Sequence, residues 1–113
     1  MIVELDYSDV RKARKRILIG ERVDWEEYAS FYKKLNTCQN GEMRDRALRI
    51  VGMDLVLAGV VGVKKGYEFH TDKGVISLPV TLPNISNRFA RESDALNFGK
   101  VMKLEGVVVP IGF

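Results

Sequence analysis

YEFHTDKGVISLPVTL, residues 67–82, decides how this chain is read. Tyr67 to Thr71 alternates aromatic and polar side chains, and Val75 to Leu82 places Ile76, Leu78, Val80 and Leu82 on one parity. A period of two marks a strand with one buried face. Between the two runs lies Asp72-Lys73-Gly74, whose glycine supplies the positive φ that a tight antiparallel connection needs. The stretch is therefore expected to form a hairpin. Pro79 lies on the other parity and removes a ladder donor, which points to a sheet edge, and Pro83-Asn84 ends the strand.

Upstream of the hairpin the period changes to that of helices. Ile2 to Asp6 alternates and reads as a first strand, after which Ser8 is a good N-cap for a helix over Asp9 to Ile19, with Gly20 at its exit. Val10, Ala13 and Ile17 form its apolar stripe. Asp24 caps a second helix, Trp25 to Leu35, and Glu27 can complete a capping box. Trp25, Tyr28, Phe31, Tyr32 and Leu35 form a wide apolar face, read as core in preference to a partner contact. Glu42 opens a third helical pattern, while Met53 to Val63 is apolar on all sides, so its periodicity fits either a helical extension or a strand.

Downstream, a last helix is expected after Ser86 or Ser93 and before Gly106, with Ala95, Phe98, Val101 and Met102 inward, followed by a closing strand over Val107 to Phe113. The expected fold class is α+β: one domain over residues 1–113, with about four helices on one face of a mainly antiparallel sheet made from the N-terminal strand, the central hairpin and the C-terminal strand.

Composition narrows the classes of function. The apolar share of 46% and charged share of 29% are those of a globular protein rather than a disordered chain. Cys38 is the sole cysteine, so no intrachain disulfide can form and a thiolate metal cluster is excluded. The apolar run Val51 to Val63 contains Asp54 and is shorter than the roughly 20 residues a bilayer-spanning helix needs. The first residues carry Glu4, Asp6 and Asp9 where a secretory leader carries positive charge. A cytosolic location without a membrane partner is therefore expected.

The distribution of charge gives the leading functional reading. Arg11, Lys12, Arg14, Lys15 and Arg16 fall within one helix of net-cationic outer surface, spread over roughly 200° opposite the apolar stripe at 100° per residue. Arg44, Arg46 and Arg49 form a second basic group on the third helix. Guanidinium and ammonium groups on one surface can neutralise phosphates and release their counterions. These eight residues are the candidate site of a small nucleic-acid-binding protein, for DNA or RNA, without catalytic activity. The bland alternative for such a run is a solvated helix face.

Two other classes are weighed beside it. An assembly subunit, as homo-oligomer or component of a larger complex, would use the aromatic second helix, the hairpin edge and the apolar C-terminal strand. A small metal-dependent hydrolase would use Glu68, His70 and Asp72, which share one strand face. Against the hydrolase, Asp72 is a natural turn former and an exposed strand face is ordinarily polar. Gly59 to Gly66 with Lys64 and Lys65 has phosphate-loop composition but neither the GxxxxGK[ST] nor the GxGxxG spacing, so no cofactor is implied. Cys38 has no histidine near it in sequence, and Asp54 is read as a helix-surface residue near a boundary.

Overall fold

Asp6, not Ser8, starts the first helix. In the computed structural model, which describes residues 5–78 and 86–113, α1 spans Tyr7–Ile17. Asp6 accepts a hydrogen bond from the Asp9 N–H at 2.9 Å, and Asp9 accepts one from the Asp6 N–H at 3.1 Å. This reciprocal box satisfies two backbone donors at the helix start. A cap at Ser8 would put Arg11, which cannot accept, at the third helical position. Of the strand expected over Ile2 to Asp6, residues 1–4 lie outside the described residues and Asp6 belongs to the cap.

The same helix ends at Ile17, two residues before the expected Ile19. Leu18–Ile19 forms β1 and pairs antiparallel with Arg22–Val23, β2, in the register Leu18↔Val23 and Ile19↔Arg22. Gly20, at φ 64°, makes the tight turn and is not a helix exit. Asp24 then caps α2, Trp25–Asn36, its carboxylate accepting from the Glu27 N–H at 3.2 Å.

Asn40 caps α3, Gly41–Leu57, accepting from the Met43 N–H at 3.1 Å. Its far end settles the ambiguous Met53–Val63 run in favour of helix followed by turn. The Gly59 N–H donates to the Val56 carbonyl at 3.0 Å and the Val60 N–H to the Leu55 carbonyl at 3.1 Å, with Gly59 at φ 73°. Those two bonds are a Schellman motif, and the buried Leu55 and Val60 supply the apolar contact that goes with it.

The hairpin forms where the sequence puts it. β3 is Gly66–Thr71 and β4 is Gly74–Ile76, paired through Thr71↔Gly74, His70↔Val75 and Phe69↔Ile76. The second strand was expected to reach Leu82; β4 ends at Ile76, and Pro79, Val80 and Leu82 lie outside the described residues. β5, Val107–Ile111, pairs antiparallel with β3 on its other side, giving the order β4-β3-β5 with β4 at an edge. The last helix, α4, spans Glu92–Val101 after Arg91, so neither Ser86 nor Ser93 caps it; Ser93 sits inside its first turn. The fold class is α+β, with two small antiparallel sheets and four helices among the described residues.

One apolar cluster draws on all four helices. At its centre Phe98 of α4 meets Phe89 at 5.3 Å, Trp25 at 5.5 Å and Tyr28 at 6.4 Å between ring centroids. Trp25, Tyr28, Phe31 and Leu35 of the α2 face are thus core, as expected, with Tyr32 half-buried; Phe69 is buried while Tyr67 packs on Phe113 at 5.5 Å. Gly99 lets α4 lie against β3, since a Cβ there would enter the Phe69 ring. Among the described residues no helix is long and apolar enough to cross a membrane.

The β5 edge is blunted. Tyr67 exchanges both backbone bonds with Phe89, at 2.8 and 2.9 Å, so it points away from β5. By the alternation of an antiparallel ladder, its neighbours Gly66, Glu68 and His70 bond Ile111, Val109 and Val107, which leaves Val108 and Pro110 facing outward. Pro110 has no N–H to offer a further strand.

Candidate polyanion-binding face

α1 lies between α2 and α3, and two polar contacts fix its rotation. Tyr7 Oη accepts a hydrogen bond from Arg46 at 3.1 Å. Arg14 grips Asp54 with two parallel bonds, Nε at 2.7 Å and a terminal nitrogen at 3.0 Å. The order Tyr7 then Arg14 on α1 matches Arg46 then Asp54 on α3, so the two helices run side by side in the same direction. On the other flank Asp9, Lys12 and Arg16 line a shallow groove with Glu27 and Lys34 of α2. Asp9 there is held below the usual carboxylate range, first by the Asp6 backbone N–H and further by the charges of Lys34 and Lys12.

With Val10 and Ile17 buried, the crest of α1 carries Arg11, Lys12 and Lys15, with Arg16 on the α2 side. All four are exposed, and among the described residues no carboxylate lies within 4.0 Å of their charged nitrogens. Arg14 differs from them: it serves the α1–α3 contact, because Asp54 is only 19% exposed and takes both of its bonds. Asp54 is therefore the inward-leaning partner of a fork-shaped ion pair, where the sequence suggested a plain surface residue.

The second basic group divides. Arg46 faces α1 and also pairs with Glu42 at 3.0 Å. Arg44 lies two residues away, about 160° around the helix, so it points to the flank away from α1. Its guanidinium is 3.8 Å from Asp45. Arg49 lies about 60° from Arg46, on the side turned away from Asp54, and is exposed. The structure thus places Arg11, Lys12, Lys15, Arg16 and Arg49 with unpaired cations among the described residues, and Arg14, Arg44 and Arg46 beside carboxylates.

No protein-family model, curated protein or solved structure matches this chain.

Glu68 and His70 do come together, with a residue the sequence did not single out. Glu68 Oε1 lies 3.0 Å from His70 Nε2 and Oε2 accepts from Arg88 Nε at 3.1 Å, while another Arg88 nitrogen donates to the Lys64 carbonyl at 2.8 Å. Asp72 stands apart in the turn, and among the described residues no group of three His, Cys, Asp or Glu side chains is arranged to hold a metal ion. The arrangement ties the β3 face to the 86–88 segment. Arg88 is 20 positions from Glu68, beyond any strand period.

Cys38 is buried, with its thiol toward the Asn40 carbonyl at 3.7 Å. In the Gly59 to Gly66 stretch, Gly59 terminates α3, Gly62 at φ 86° donates its N–H to the Arg88 carbonyl at 2.9 Å, and Gly66 leaves room for the Phe89 carbonyl, so all three glycines have backbone roles.

The His70 hydrogen bond, followed by that of Arg88 and both charges, outweighs partial burial and holds Glu68 below the ordinary glutamate range. A carboxyl depressed in the folded state stabilises the fold above its unfolded pKa, near 4.3, and that stabilisation is lost as pH falls through the folded pKa. Acid titration of unfolding is therefore expected to show a Glu68 contribution disappearing below about pH 4.3 that Glu68→Gln removes. Parallel wild-type and Glu68→Gln profiles from pH 7 to pH 3 would exclude it.

Proposed function

We propose that this chain is a small nucleic-acid-binding protein that works without catalysis, through the outer face of α1. The observation that supports the reading is the crest Arg11, Lys12 and Lys15 with Arg16 beside it, four exposed cations with no carboxylate within 4.0 Å among the described residues. Arg49, exposed on α3 and without a carboxylate within 4.0 Å among the described residues, would add to the positive charge. Arg14 and Arg46 contribute by holding α1 in place, and Arg44 lies away from the face.

Cations on a rigid helix displace counterions from a phosphate chain, and the entropy of their release is the driving force. Four to five phosphate contacts correspond to a loss of affinity of about 150- to 500-fold between 50 and 200 mM salt. Binding of the full chain to labelled nucleic acid, followed over that salt range, is the test. Lys12→Glu with Lys15→Glu is expected to abolish binding at 50 mM salt while shifting thermal stability little, since exposed substitutions change it by about 0.5 kcal/mol or less. Arg14 is unsuited to the same experiment, because reversal would set a carboxylate against Asp54. Retention unchanged by the double variant, or no binding at low salt, removes the proposal.

Of the features that suggest an assembly subunit, the aromatic face of α2 is mostly core, while β4 stays at a sheet edge and Val75, Val107 and Phe113 are exposed. Trp25, Tyr28, Phe31 and Leu35 are buried, and the β5 edge carries Pro110.

A further inference from the structure

Building on the reading that the crest of α1 binds nucleic acid, we propose that its partner is the phosphate backbone of a duplex, held without regard to base sequence. Three properties of the face lead there. The first is the absence of a stacking platform. Proteins that hold single strands set aromatic side chains beside their cations so that unpaired bases can stack. Tyr7 is the only aromatic residue of α1; its ring is half-exposed, but it stands at the helix start, before the cationic turns, and its hydroxyl is held by Arg46. On the adjoining α2, Trp25, Tyr28 and Phe31 are buried in the core, and the half-buried Tyr32 lines a groove with Met102 and Lys103 beyond α4.

The second property is the setting of α1. A helix with its side chains is about 10–12 Å across and the major groove is about 12 Å wide, so a helix that reads bases must enter nearly alone. α1 is held on both flanks, by the Arg14–Asp54 and Arg46–Tyr7 contacts to α3 and by the groove shared with α2. Arg11, Lys12, Lys15 and Arg16 on its crest could fork a guanine edge only from inside the groove, which this docking on both flanks prevents. Side chains of this kind meet phosphates along the outside of a helix.

The third is charge density. A duplex carries one phosphate per about 1.7 Å of axis, and each contact contributes a salt slope of about −0.9, against about −0.7 for a single strand. A surface whose resource is charge alone gains most from the denser polyanion.

The experiment uses the full chain with two DNA duplexes of unrelated sequence and one single strand of equal length, each titrated by fluorescence anisotropy from 50 to 200 mM salt. The duplexes are expected to bind within about twofold of each other and more tightly than the single strand, with a slope near −4 for four to five contacts. Arg11→Gln with Lys15→Gln should weaken both duplexes equally and bring the slope up by about two. A single strand bound as tightly as the duplexes, or a tenfold preference between the duplexes, overturns the duplex inference while leaving nucleic-acid binding in place. Failure of all three probes to bind at 50 mM salt overturns the underlying reading as well.

Discussion

Phe98→Ala is expected to destabilise the fold by about 4 kcal/mol, the usual range for emptying a fully buried phenylalanine site. Phe98 is 1% exposed, and its ring touches Trp25, Phe89 and Tyr28. Those neighbours are themselves large and buried and pack on one another as well, so they have little room to collapse into the space. The loss therefore combines transfer of the ring to water with a persistent cavity. For a chain of 113 residues, unfolding entropy of about 2 cal/mol/K per residue converts this to a fall in Tm of about 18 °C. Leu96→Ala on the same helix is the control, because Leu96 is 50% exposed and should lose well under 1 kcal/mol. Equal losses for the two variants in thermal or denaturant unfolding would show that the aromatic centre is not the heart of the core.

Asp94→Ala is expected to lower stability by about 3 kcal/mol. Asp94 is the buried charged residue of the core, 5% exposed. One carboxylate oxygen accepts from Trp25 Nε1 at 2.9 Å, and the other accepts from Arg91 Nε at 2.8 Å. Arg91 in turn donates to the Glu21 carbonyl at 2.7 Å, so a single carboxylate joins α4, α2 and the β1–β2 turn. Truncation leaves a buried indole N–H without an acceptor, the costly side of hydrogen-bond deletion. Asp94→Asn retains an acceptor and is expected to lose less than half as much. Trp25 is the only tryptophan, so its emission reports this bond directly. A double-mutant cycle with Trp25→Phe should return a coupling of about 1 kcal/mol or more; additivity of the two substitutions would sever the proposed link.

Much of the candidate face was legible in the sequence. The stripe Val10, Ala13, Ile17 determines which side of α1 is docked, and hence that Arg11, Lys12, Lys15 and Arg16 are outside. The division of the Arg44, Arg46, Arg49 group was also available, because residues two apart on a helix point nearly opposite ways. The cap at Asp6 could have been found too, from Asp9 three positions on. What no local pattern announces is pairing. Arg14 meets Asp54 across 40 positions and Arg88 meets Glu68 across 20, and neither pair follows from its own helix or strand.

Taken alone, the amino-acid order fixed the caps at Asp24, the Asp72–Gly74 turn, the apolar faces of the helices and the α+β class, because each depends on the conformational preferences and periodicity of neighbouring residues. Tertiary packing decided which cations of α1 remain free, that Asp94 would receive Trp25 from 69 positions away, and that Pro110 would face outward from β5. The physical reason is one of range. Periodicity states how much apolar surface a segment must bury, whereas the identity of the group that covers it, or that neutralises a charge beside it, depends on where distant segments come to rest.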